Sequence, residues 1–167
     1  MNTFNLKTLV IVGVMALSTS VLAAPMSKAD YEAAKDKISA EYKAAKTACS
    51  SLSGNAADIC DAEAKGKEKV AEAELKLAYE PTREHRYDAL KAKAEADYAV
   101  AIEKCDDKAG NVKDVCVKEA KAAQAAAKAD AEVQLKTSDA NAKANEKTGA
   151  AQEKADKAGV DARKDAA

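Results

Sequence analysis

The chain has 167 residues, of which 42 are Ala, and it carries 27 basic against 28 acidic side chains, with no Trp and a single Phe, Phe4. So few large apolar side chains exclude a thick globular core, because burying Ala recovers little hydrophobic free energy. The balanced, interspersed charge excludes the net basic surface that a nucleic-acid partner demands.

Residues 1–23 have the layout of a secretory signal: Lys7 in a polar start, an apolar stretch from Leu9 to Leu17, then small residues up to Ala24. Cleavage is expected after Ala23, with Val21 and Ala23 at the positions before the cut and Ala24 beyond it; a cut after Ala24 would place Pro25 directly downstream. The apolar stretch is too short for a membrane span, so no membrane insertion is expected once the signal is removed. A periplasmic location follows from this layout.

Beyond the signal the chain repeats itself. Tyr31, Tyr42, Cys49, Gly54, Asn55, Asp58 and Cys60 recur 56 positions later as Tyr87, Tyr98, Cys105, Gly110, Asn111, Asp114 and Cys116. This is a duplicated unit of one design. The boundaries it implies are a first repeat over 24–80, a second over 81–136, and a low-complexity polar remainder over 137–167.

In the first repeat, Ser27 followed by Asp30 reads as a capping box that opens a helix of about 22 residues, some 33 Å long. Tyr31, Ile38, Ala45 and Leu52 fall seven apart along it, and Tyr42 and Cys49 fill a second series of that period. After a turn at Gly54, Asn55 is expected to cap a second helix with Asp58 in its first turn. Ile59, Ala62, Gly66, Val70, Ala73 and Leu77 line a face of that helix, and Gly66 permits close approach of a neighbour. The helix ends before Pro81. The second repeat follows the same scheme, with Asn111 as the expected cap and a seam continued by Val115, Ala122, Ala126, Ala129 and Val133. From Thr137 onward the sequence offers almost nothing large and apolar, so a solvated tail, disordered or a frayed helix, is expected.

Export changes how the cysteines read. In an oxidising compartment four Cys at a repeated spacing form a disulfide framework with three conceivable connectivities. In an unbroken helix, Cys residues eleven apart would stand about 16 Å from each other and could bond only to another chain. A chain that turns back at each Gly-Asn pair brings Cys49 to Cys60 and Cys105 to Cys116, and duplication favours that pairing because each repeat closes on itself. The fold class expected is therefore all-α: two tandem antiparallel helical hairpins, coiled-coil-like, each clipped by a disulfide.

Candidate chemistry is sparse. Metal binding by these Cys would need close pairs or His partners at helical spacing, and thiol redox work a Cys-x-x-Cys motif. Neither is in the sequence, so no metal, cofactor or catalytic residue is assigned. The one His, His85, stands among Arg83, Glu84 and Arg86 and reads as a solvated side chain. Tyr31, Tyr42, Tyr87 and Tyr98 read as seam packing and as a candidate partner face, being the largest apolar side chains the hairpins have.

The APMSKADY start, the SGNAADIC and AGNVKDVC turns and the EAK-rich helices resemble a largely uncharacterised group of small exported Ala/Lys/Glu-rich helical proteins of Gram-negative bacteria, some labelled TolA-like. The likeness runs through Lys136, with the two C-x10-C turns its specific part. The chain departs from TolA itself in lacking a clear transmembrane anchor and a globular C-terminal domain, so energy transduction across the envelope is not implied. The segment from Glu119 is also similar in composition to desiccation protectants. The expected function is non-enzymatic: a spacer, adaptor or weak chaperone-like binder of the cell envelope, partnered by an envelope protein or by self-association through helical seams. The alternative is a composition-driven envelope stress protectant.

Overall fold

The structure, a computed structural model, describes residues 26–165; the expected signal over 1–23 and the cleavage residues Ala23 and Ala24 lie outside them. Among the described residues there are four helices: α1 (Lys28–Cys49), α2 (Asn55–Tyr79), α3 (Arg83–Asp106) and α4 (Gly110–Asp165). The class is all-α, as the sequence predicts. Ser27 caps α1, its Oγ accepting from the Asp30 N–H at 3.1 Å. Thr82 caps α3 in the same manner, accepting from the His85 N–H at 3.0 Å. The expected Asn caps do not form. Asn55 and Asn111 are already helical, and the position ahead of Asn55 is Gly54 at φ +58° with no side-chain cap bond; Gly110 opens α4 at φ +54°. A positive φ is inexpensive only for Gly, so the chain reverses on backbone freedom and not on an amide side chain.

Among the described residues each helix touches only its neighbours in the chain: α1 packs on α2, α2 on α3, and α3 on α4. The result is a single layer of antiparallel helices in which the turn between the repeats is itself a hairpin. Both Cys-bearing tips lie at one end of the layer and the Glu80–Thr82 turn at the other. That turn is braced by His85, whose Nδ1 lies 2.9 Å from the Glu80 carbonyl oxygen. His85 is half-buried and anchored there, and not the solvated side chain expected of it.

On α1 the expected seven-residue series lies inward, with Tyr31, Ile38, Tyr42 and Ala45 half-buried and Cys49 buried, whereas on the other three helices the most buried positions recur at eleven. Ala64 and Leu75 of α2, Ala94 and Cys105 of α3, and Ala120 and Ala131 of α4 are the buried pairs, each eleven residues apart. Eleven residues make three turns at 3.67 per turn, close to the free helix, so small side chains stay in register without the supercoil that a heptad imposes. Leu52, placed in the heptad series, lies past the end of α1 and is exposed. On α4 the difference is larger: Val115, Ala122, Ala126, Ala129 and Val133 all face solvent, opposite the face that Ala120 and Ala131 turn to α3. The Cys105–Cys116 link fixes this rotation, because Cys116 must face α3 and Ala120 follows one turn later.

Residues 143–160 are exposed as expected, but the remainder after 136 is an unbroken continuation of α4 to Asp165. Its first part still packs: Ser138, Asp139 and Ala142 are half-buried, and Asp139 Oδ1 accepts from Arg83 Nε at 2.7 Å.

Candidate functional site

The four cysteines are all used in two intrachain bridges. Cys49 pairs with Cys60 across α1 and α2 at a Cα separation of 5.5 Å, and Cys105 with Cys116 across α3 and α4 at 5.6 Å. Both separations sit at the middle of the range an unstrained bridge needs. Cys49 and Cys105 are buried, so each bridge is the innermost contact of its tip. With no free thiol left, these residues act as clips.

At the opposite end the first hairpin closes on aromatics. The Tyr31 ring stacks on Tyr79 with centroids 4.6 Å apart and planes tilted by 37°. The second hairpin places Tyr87 beside Leu135, the residue that stands in the register of Tyr79, and the two line a narrow crevice with Leu90 and Ala131. Tyr42 and Tyr98, eleven residues beyond Tyr31 and Tyr87, are half-buried along the same helices. Tyr31 and Tyr87 therefore each sit in the seam of their own hairpin. Tyr79, the partner of Tyr31, carries no signal in the repeat, since its counterpart is Leu135.

Between the repeats, α2 and α3 come closest at Gly66, where an added Cβ would stand 2.9 Å from that of Ala96. The close approach expected of Gly66 is therefore present, and it joins copy to copy. On one side of this contact lies an open cleft of about 760 Å³, floored by Val70, Ala71, Val100 and Ala101 and edged by side chains of both signs. Glu63 and Lys104 face each other across it, with 3.7 Å between Nζ and Oε1. The other side is a more polar cleft of about 480 Å³, to which α1 contributes Tyr42 and Lys46.

Ion pairs tie the layer laterally. Lys46 of α1 bonds Asp61 of α2, and this hydrogen bond, with the carboxylate charge, holds the Lys46 ammonium above its ordinary pKa. Lys128 of α4 reaches Glu95 of α3 at 3.0 Å. The hydrogen bond from Lys128, joined by the charges of Lys128, Lys91 and Lys69, holds the Glu95 carboxyl below the usual range. These pairs were not readable from the repeat, because their partners come from different helices at spacings that only the packing fixes. Among the described residues, no group of three or more His, Cys, Asp or Glu side chains is placed to hold a metal ion, and no helix is long and apolar enough to cross a membrane.

No protein-family model, curated protein or solved structure matches this chain.

Proposed function

We propose that this is an exported, non-enzymatic structural and interaction protein of the cell envelope, working as a spacer or adaptor. The observation that carries the reading is the length and setting of α4. At 56 residues it is about 84 Å long, against about 33 to 38 Å for the other three helices. Its second half leaves the layer as a solvated rod. A helix that is polar on all sides and held by local pairs bridges between partners or serves as a stalk. Here the pairs are Gln152 with Asp156 and Lys157 with Glu153. Two disulfides support residence in an oxidising compartment. They also support a role needing a stiff base, since each clip limits unfolding of one hairpin.

The exposed Ala, Lys, Glu, Asp and Gln composition of residues 143–160 favours a second reading, a protectant that acts by staying hydrated. Tagged protein recovered from the periplasm after mild cross-linking separates the two. The adaptor reading expects one envelope partner, lost when the chain is cut after residue 142. Protection of unrelated enzymes against drying, retained when residues 143–165 are scrambled, would contradict it.

A further inference from the structure

Arginine is the rare cation of this chain: of the 27 basic residues 24 are Lys and 3 are Arg. Two of the three, Arg83 and Arg86, stand one turn apart at the start of α3 and line one open cleft of about 510 Å³ against α4. Gln134, Thr137, Ser138 and Asn141 of α4 enter the same cleft, at a spacing that puts them on one face of the helix. Thr137 and Ser138 are two of the three hydroxyls in the 56 residues of α4. The clefts on either side of Gly66 are edged by both signs of charge, whereas this one has no carboxylate in its wall. Every polar side chain that lines it can donate a hydrogen bond.

The duplicated scheme does not account for this set. Fifty-six positions before Arg86 stands Asp30, which is bonded to Ser27 in the cap of α1. Fifty-six positions before Thr137 and Ser138, α2 has already ended. Nor do the ion pairs of the layer use up the charge. Arg83 is paired with Asp139, 2.7 Å from its Nε. Arg86 makes no ion pair among the described residues. A merely solvated cation is served as well by Lys, which this chain uses almost everywhere else; the planar guanidinium fork is matched to oxyanions.

We propose that the cleft between the start of α3 and residues 134–141 of α4 binds the phosphate group of an organic phosphate monoester, with Arg86 as its principal cation. The inference stands apart from the spacer reading. A phosphate monoester presents three terminal oxygens and nearly two charges, enough to engage the guanidinium from α3 together with hydroxyl and carboxamide donors from α4; a carboxylate has two oxygens and one charge. The cleft is larger than a phosphate, and Pro81 and Val133 give it an apolar edge for the carbon part of the ligand. That part belongs to a soluble molecule or to a lipid headgroup, and the phosphate chemistry is the same for both. Because Arg86 is exposed, binding is weak and screened by salt, with Kd on the order of millimolar at low ionic strength.

With 3 arginines in the chain, the arginine Nε–H region of a nitrogen–proton NMR spectrum holds one signal for each, and titration of the oxidised, full-length protein reads the site directly. Glycerol phosphate is the soluble probe, added at about pH 7, above its second pKa of about 6. It should shift the Arg83 and Arg86 signals along one saturation curve and leave that of Arg163 in place. Arg86→Gln should raise Kd about tenfold by removing the charge-assisted bonds, with far-UV circular dichroism unchanged because the side chain is exposed. Lys37→Gln, the same loss of charge on α1, should leave Kd unaltered. Co-sedimentation with phosphatidylcholine vesicles containing phosphatidate distinguishes the sources: a response to glycerol phosphate assigns a soluble ligand, and retention on the vesicles alone, lost in Arg86→Gln, assigns a headgroup. No response to either probe, an Arg86→Gln chain that binds as well as the unaltered one, or acetate binding as tightly as glycerol phosphate would each overturn the proposal.

Discussion

At Gly66 the absence of a single methyl group decides how closely the two repeats approach. Gly66→Leu puts a branched side chain where a bare Cβ already meets that of Ala96 at 2.9 Å. The expected cost is about 1 to 3 kcal/mol from overpacking, read as a lower melting temperature. Gly149→Ala is the contrasting change: it meets nothing within 4 Å and should gain about 1 kcal/mol of helix propensity, seen as greater helicity of the rod. Glu95 supplies a pH signal at the same scale. Its carboxyl is held below the ordinary range by Lys128, so the stability it contributes is present above the unfolded pKa and is lost as pH falls through the folded value. Melting temperatures between about pH 7 and about pH 3 should fall less steeply for Glu95→Gln than for the unaltered chain, with the variant already the less stable at pH 7.

At the scale of the element, each hairpin depends on its clip. Reduction of either bridge is expected to remove about 3 kcal/mol, because the bridge closes a short loop in the unfolded chain. Circular dichroism with and without reductant should show lower thermal stability of the hairpins, with the rod beyond residue 142 unaffected. Much of this level was legible in the sequence. Ser27 marked the start of α1 to the residue, Pro81 marked the end of α2 within one turn, and the two Cys pairs marked the hairpins. Which face of each helix is buried was not legible. With Ala at so many positions, both a seven- and an eleven-residue series can be drawn through the same text, and on α4 the stripe of Val115, Ala122 and Val133 is the more apolar one. The choice is made by the bridge, since Cys105 pulls Cys116 inward and carries Ala120 and Ala131 with it. The caps at Asn55 and Asn111 failed for a related reason: a Gly at positive φ already turns the chain one residue earlier.

At the scale of the whole molecule, the described residues form a row of helices with no second layer among them. A lean composition permits little else, because Ala-lined contacts can join helices side by side but cannot fill a core. Protection should therefore vary along the chain. In hydrogen exchange, amides of α2 and α3 should be the slowest, those of α4 up to residue 142 intermediate, and those of 143–160 fast, since that part is exposed and bonded only within itself. The continuity of α4 was not readable from its polar text, because its packing ends near residue 142 and only the helix propensity of Ala, Lys, Glu and Gln sustains it beyond. Everything in this fold depends on two hairpins that each close on themselves. Non-reducing peptide mapping of the native protein tests this directly, using trypsin together with a protease that cuts before Asp, since Lys108 and Lys113 separate one pair and Asp58 the other. Linked peptides joining Cys49 to Cys60 and Cys105 to Cys116 are the expected result. Four free thiols, or Cys49 joined to another chain, would contradict it.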